Sequence, residues 1–366
     1  MRIIDKYILK EIALPILFSL YVLVFLFIIA DLFDNLYEII NNHTPLVDIL
    51  FYYLNLIPFA FVQTISWATF LGTVYLFTTF SRHGEVTAMK ACGLKITDIA
   101  APILFLGLII GVVTFVVNDR LVPTTFHTAL NIKKEKIDFS KGKGKNKVQG
   151  IRNATLLSNN RQYFIKQLDA KAKQMKDIRI HLLDDENFVR YKIVAQKGEW
   201  IEGHIVLEGV SIYHLDQQGR LIGEPEVSPS KCFPNLSEKP EDFVEASFDT
   251  MFLSSKKLAN HIERLKNNDL PVMAEYTALH HKRAYPWQSL VIMIITIPFL
   301  GRTRNVRHGL AKNVLLCLIL VFCYHVISAI FLALGNKGIL FPFMSAWLAN
   351  GSFTMSGVLL FEQANH

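Results

Sequence analysis

Six apolar runs, at about 12–33, 53–80, 98–118, 284–301, 310–334 and 340–361, constrain this chain more than any other feature. A hydrocarbon layer about 30 Å thick is crossed by roughly 20 apolar residues in a helix, and each run meets or approaches that length. The runs form two blocks with a polar middle between them, the layout of a membrane protein with an inserted polar domain. Charged residues make up 19% of the chain, below the share of about 25% usual for soluble domains. Arg2, Lys6 and Lys10 precede the first run as in a signal peptide, but its length and the lack of a small-x-small cleavage site predict an uncleaved span. Pro58 and Gln63 predict a kink or tilt in the second run. Pro286 and Pro298 bracket the short fourth run.

The short loops predict sidedness. Arg2, Lys6 and Lys10, then Arg82, Lys90 and Lys95, then Arg302, Arg304, Arg307 and Lys312 all fall on one side of the predicted spans. The opposite loops hold no Lys or Arg over 34–48 and only Lys337 over 335–339. The positive-inside rule therefore predicts cytoplasmic termini and an outer location for the segment 119–283. The net charge of +7 is accounted for by such basic loops, and no nucleic-acid-binding motif occurs. Cys92, Cys232, Cys317 and Cys323 show neither metal-ligand nor disulfide spacing and read as small hydrophobes. No Walker A, HExxH or GxSxG pattern is present. The sequence thus predicts no metal, no cofactor and no catalysis by this chain alone.

The outer segment reads as β structure. Gln162–Leu168, Asp177–Leu183, Arg190–Ala195 and the alternating run through Trp200, Ile205, Leu207, Val210 and Ile212 predict short strands, with turns at Gly203, Gly209 and Gln218-Gly219. A sandwich or jellyroll follows from that spacing. From Ser254 the period changes: Leu258, Ile262 and Leu265 predict a helix over about 254–268 that leads back to the membrane. The Lys- and Gly-rich stretch at 133–150 reads as a solvated linker or as a contact for anionic head groups.

The loop SRHGEVTAMKACGLKITD is too polar to span. Glu85 to Cys92 can form a short helix that Gly93 ends, with Val86 and Met89 on one face and Glu85 beside them. Such a helix could take up motion from a cytoplasmic ATPase or lie passively on the membrane. His325 stands well inside the fifth run, where an ionisable group is a functional candidate or a neutral partner of a neighbouring helix. Asn55, Gln63 and Trp67 suggest packing between helices.

Three segments resemble the LptF/LptG permease family of the lipopolysaccharide exporter. They are Glu85, Met89 and Ala91-Cys92-Gly93 in the loop; the return segment ending in Lys282-Arg283 and Pro286; and Pro342, Ala346, Trp347 and Asn350 in the last run. Their order covers essentially the whole chain. The resemblance implies a bacterial inner-membrane protein of six transmembrane helices, with a periplasmic β-jellyroll inserted between spans three and four. Residues 1–118 would hold spans one to three and a coupling helix at about 82–93, residues 119–283 the jellyroll, and residues 284–366 spans four to six.

The implied partners are a dimer of the ATPase LptB, a sibling LptF or LptG, LptC and the LptA bridge, with lipopolysaccharide as cargo. Glu85, Val86, Met89 and Gly93 would form the coupling site to the ATPase, and spans one and five would line the lipid cavity. Family members often carry a base near the outer end of span one, where this chain has Asp31 and Asp34. Arg120, His325 and Lys337 are the other candidates for contact with lipid or phosphate. The Asp-rich end of span one and the run AWLAN lean towards LptG. Two rival expectations are a membrane-anchored scaffold or sensor and a lipoprotein-release permease. The second has its large domain after span one, against span three here.

Overall fold

The computed structural model describes residues 2–137, 151–158, 161–169, 173–184, 188–201, 204–216, 220–233, 243, 252–267, 272–301 and 309–365. It divides into two compact units: Met1–Ser140, Met251–Asn260 and Val272–His366 in one, Lys141–Thr250 and His261–Pro271 in the other.

The first unit is helical. In chain order it contains α1 (Ile3–Asn41), α2 (Leu46–Arg82), α3 (Glu85–Ala91), α4 (Ile96–Val116) and α5 (Val122–Ile132); α6 (Ser255–Asn267) begins in it, and α7 (Met273–Ala284), α8 (Gln288–Gly301), α9 (Gly309–Asn336) and α10 (Pro342–Asn365) complete it. Among the described residues, five helical stretches are long and apolar enough to cross a membrane: Ile3–Asn41, Leu46–Arg82, Ile96–Ile132, Met273–Gly301 and Ala311–Asn336. The sixth apolar run forms α10 but is not among them. It carries Ser345, Asn350, Ser352 and Ser356, whose side chains all donate to backbone carbonyls, Asn350 to that of Ala284. The third run outlasts its expected end at 118, because a π-helical turn (Val117–Leu121) absorbs Asn118, Asp119 and Arg120 and joins α4 to α5.

α8 is the interior helix. Only Leu290, Ile294 and Phe299 of its 14 residues escape full burial. Its neighbours reach it through glycines. A Cβ on Gly107 of α4 would lie 2.7 Å from Met293 Sδ, and one on Gly111 would lie 3.1 Å from Trp287. On α10, a Cβ on Gly357 would come within 3.0 Å of the Ile294 carbonyl oxygen. Small residues a turn apart let helix backbones pack closely in a membrane. Pro286 has no N–H to offer the Lys282 carbonyl, and the chain takes a 3-10 turn (Tyr285–Trp287) between α7 and α8. Asn350 closes that break: its amide donates to the Ala284 carbonyl at 3.0 Å, and its oxygen accepts from Tyr324 of α9.

The second unit is built on a six-stranded antiparallel sheet of β1 (Ile151–Ser158), β2 (Arg161–Asp169), β3 (Gln174–Leu183), β4 (Val189–Ile201), β5 (His204–His214) and β6 (Glu226–Phe233), in that spatial order. It is a meander, each strand pairing with its neighbours in sequence. The period-2 alternation sends one row to one face: Tyr163, Ile180, Ile193 and Ile212 stand in register and are buried, as are Ile165, Ile178 and Ala195. Phe164, Arg179, Val194 and Ser211 fall on the other face. Phe243 covers the apolar face, edge-on to Tyr163 at 5.3 Å and to Trp200 at 5.8 Å.

Packing at α8 predicts that Gly107→Leu destabilises the detergent-purified protein by about 2 kcal/mol, the usual scale of overpacking. Gly351→Ala, where an added Cβ meets nothing within 4 Å, should instead raise the unfolding midpoint slightly, by the roughly 0.5–1 kcal/mol that alanine gains over glycine in a helix interior. Chemical denaturation followed by fluorescence checks both.

Candidate coupling site

α3 has seven residues, too few to be stable by itself. Its two ends are set by backbone geometry. Gly84 has φ +71° and Gly93 φ +83°, and no atom lies within 4 Å of an added Cβ at either. Glycine is therefore favoured there by the left-handed conformation and not by crowding. At the C-terminus, Leu94 N–H donates to the Met89 carbonyl at 3.1 Å and Gly93 N–H to Lys90 at 3.0 Å, the paired bonds of a Schellman stop.

Side chains then fasten α3 to three helices of the first unit. Val86 is buried in the main apolar cluster, and Met89 packs against it. The Tyr7 hydroxyl of α1 donates to Glu85 Oε2 at 2.9 Å. The Tyr7 ring stacks on Phe80 of α2, with centroids 5.7 Å apart and planes within 6°. Glu85 Oε1 also lies 3.9 Å from His83 Nδ1. At the other end of α3, Lys90 Nζ donates to the Gly301 carbonyl at 2.9 Å. That carbonyl is one of the four at the end of α8 with no partner within the helix, where a cation is also favoured by the helix dipole. Glu85, Val86, Met89 and Gly93 are thus gathered on one short element.

The other candidates are spread. Asp31 accepts from Asn35 Nδ2 at 2.9 Å and from the Tyr52 hydroxyl at 3.1 Å, joining α1 to α2, while Asp34 is exposed. Arg120 is exposed in the π turn, and Lys337 is exposed just beyond α9. His325 is half-buried and stacks on Trp67 of α2 at 4.8 Å, its Nε2 without a hydrogen-bond partner. These five share no hydrogen bond or ion pair with one another among the described residues. Of the Lys-rich stretch, Lys133–Ile137 forms a second π-helical turn: Thr44 Oγ1 donates to the Lys136 carbonyl at 3.0 Å, and Lys136 Nζ lies 3.6 Å from Asp48. Residues 138–150 of that stretch, like Arg302, Arg304 and Arg307, lie outside the described residues.

Sequence reasoning missed three contacts of the helical unit. Tyr7 lies ahead of the first apolar run, among charged residues, and nothing local pairs it with Glu85. Asp119 accepts from Ser255 N–H at 2.8 Å, and buried Lys282 donates to the Leu253 carbonyl, so two opposite charges clasp the start of α6. Phe252, beside them, stacks on Phe126 at 3.9 Å. The only signals in the sequence were a charged residue in each of two otherwise helical runs.

The Lys90 contact predicts that Lys90→Met speeds amide exchange across 85–92 by about five-fold, the factor for one net hydrogen bond of about 1 kcal/mol. Lys90→Arg, which keeps a donor, should move it less. Hydrogen-exchange mass spectrometry reads both.

A search among curated proteins finds no match. The family model described as lipopolysaccharide export system permease LptF/LptG matches residues 6–363, essentially the whole chain. The long apolar helices agree with a permease, and the scaffold reading has no support beside this match. The chain belongs to the LptF/LptG family, the non-enzymatic permease subunits of the lipopolysaccharide export system, in which ATP hydrolysis lies with the partner ATPase.

Proposed function

We propose that this chain crosses the bacterial inner membrane six times with both termini in the cytoplasm, and that α3 seats on a dimer of the ATPase LptB. α10 is the sixth span in this reading, since its 24 residues reach about 36 Å at 1.5 Å per residue. The sheet, with its apolar inner face, is the candidate for the family's periplasmic jellyroll, which passes lipid on to LptC and the LptA bridge. A sibling LptF or LptG completes the cavity. The observation that carries the reading is the attachment of α3: a helix of seven residues set off by two left-handed glycines and fixed by side chains to α1, α2 and α8. A surface helix lying passively needs none of these bonds.

The transport is mechanical in this account. Closing the cavity on acyl chains requires the coupling helix to move the spans that line it. Arg120 and Lys337 would offer charge to lipid phosphates, since Asp31 is already bonded to Asn35 and Tyr52. Asp34 stands exposed near it on α1 and would repel phosphate.

Pull-down of the tagged chain from its native membrane in mild detergent, with mass spectrometry of proteins and lipids together, tests the assembly. Recovery of an ATPase, a sibling permease and lipopolysaccharide is expected. Recovery of the chain with envelope proteins but no ATPase would remove the coupling role from α3. In cells that depend on this gene, Glu85→Ala should abolish growth while leaving the protein in the membrane, and normal growth would show that the carboxylate is not needed.

A further inference from the structure

The two polar tethers of α3 end on helices with very different surroundings. Lys90 grips the last carbonyl of α8, a helix buried along nearly its whole length. Tyr7 grips Glu85 from α1, which is far more exposed along its length. Over its 39 residues α1 buries five: Ile8, Ile12, Ile16, Asn35 and Ile39. Leu14, Leu17, Phe18, Tyr21 and Phe25 are all more than half exposed. A helix enclosed on all sides cannot shift without repacking its neighbours, because protein interiors are close-packed. A helix attached along one stripe can tilt at far smaller cost.

We propose that the Tyr7 hydroxyl is the link that carries displacement of α3 to α1, with the Lys90–Gly301 bond serving as the fulcrum, so that Tyr7 is a positioning residue for lipid extraction. This rests on the reading of α3 as the coupling helix. Three features fit a lever. The left-handed glycines at 84 and 93 lie in open space and set α3 off from its neighbours. Glu85 stands at one end of α3 and Lys90 near the other, so the two polar tethers hold opposite ends of the helix, with Val86 and Met89 packed between them. The Tyr7 ring stacks on Phe80 of α2, and this stack aims the hydroxyl at Glu85. The carboxylate is acceptor-only, with about four lone-pair sites, and one bond from Tyr7 leaves sites for a cationic group on the ATPase.

The test uses the whole transporter, with sibling permease and ATPase, in proteoliposomes containing lipopolysaccharide. Tyr7→Phe keeps the ring and its stack and removes only the hydroxyl. The expected result is an ATPase that still co-purifies, with lipopolysaccharide released per ATP hydrolysed lowered about five-fold, the scale of one net hydrogen bond. An unchanged ratio of lipid to ATP would overturn the proposal. Loss of the ATPase from the Tyr7→Phe complex would overturn it too, because the hydroxyl would then serve docking and not transmission. If the unaltered chain recovers no ATPase, the coupling reading itself fails, which is a separate and distinguishable outcome.

Discussion

The helical unit depends on the close approach of α8 to its neighbours. Gly107, Gly111 and Gly357 remove the side chains that would hold α4 and α10 away, and the space is filled by Met293, Trp287 and Ile294 of the Tyr285–Gly301 stretch. Enclosure by protein in turn permits what lipid would forbid. The break at Pro286 frees backbone carbonyls, and an unpaired one in hydrocarbon costs several kcal/mol. Here Asn350 meets the Ala284 carbonyl, and Tyr324 fixes the orientation of Asn350. Gln63 likewise accepts from Tyr285 at 2.8 Å. Polar side chains that would weaken a lipid-facing helix thus act as joints between α2, α9, α10 and the kinked rod.

A rigid interior sets the surroundings of the proposed coupling helix. α3 cannot stand alone, and its sequence provides one bond to the enclosed rod and one to the more exposed α1. The apolar exposed face of α1 suits acyl chains or another subunit, and a wall of that kind can move while α8 stays in place. Asp119 and Lys282 fasten the start of α6 in the same unit, the carboxylate by accepting from Ser255 N–H and the ammonium by donating to the Leu253 carbonyl.

The sheet follows another logic. Its rows of buried Ile, Leu and Tyr side chains fix register, because a slip of one residue would turn every apolar side chain to the other face. Gly198 stands in the row of Leu168, Met175 and Leu207, where a Cβ would come within 2.8 Å of both Ile178 and Leu207. The charges on the other face, such as Lys166 and Asp177 at 3.4 Å, are exposed and contribute little stability.

Much of this was legible in the sequence. The long spans were, because a hydrocarbon layer demands an uninterrupted apolar length that composition displays directly. So were the bounds of α3, since a glycine after an amphipathic turn marks the left-handed stop, and the start of α6, whose Ser254 hydroxyl accepts from Lys257 N–H at 3.3 Å. The alternation that placed β2 to β5 was equally local, but β1 and β6 were not read from it, and Gly209, read as a turn, lies within β5. The π turn that carries the third helix past Arg120 was not legible, since those polar residues look like a helix end. Nor were the bonds that define the site: Tyr7 and Glu85 are 78 residues apart and Asn350 and Ala284 are 66 apart. A helical period shows which face of a helix is apolar, but it does not say which helix that face will meet. Only the tertiary packing decided that one end of α3 is bonded to the buried α8 and the other to the more exposed α1, because burial belongs to the surroundings of a residue and not to the residue.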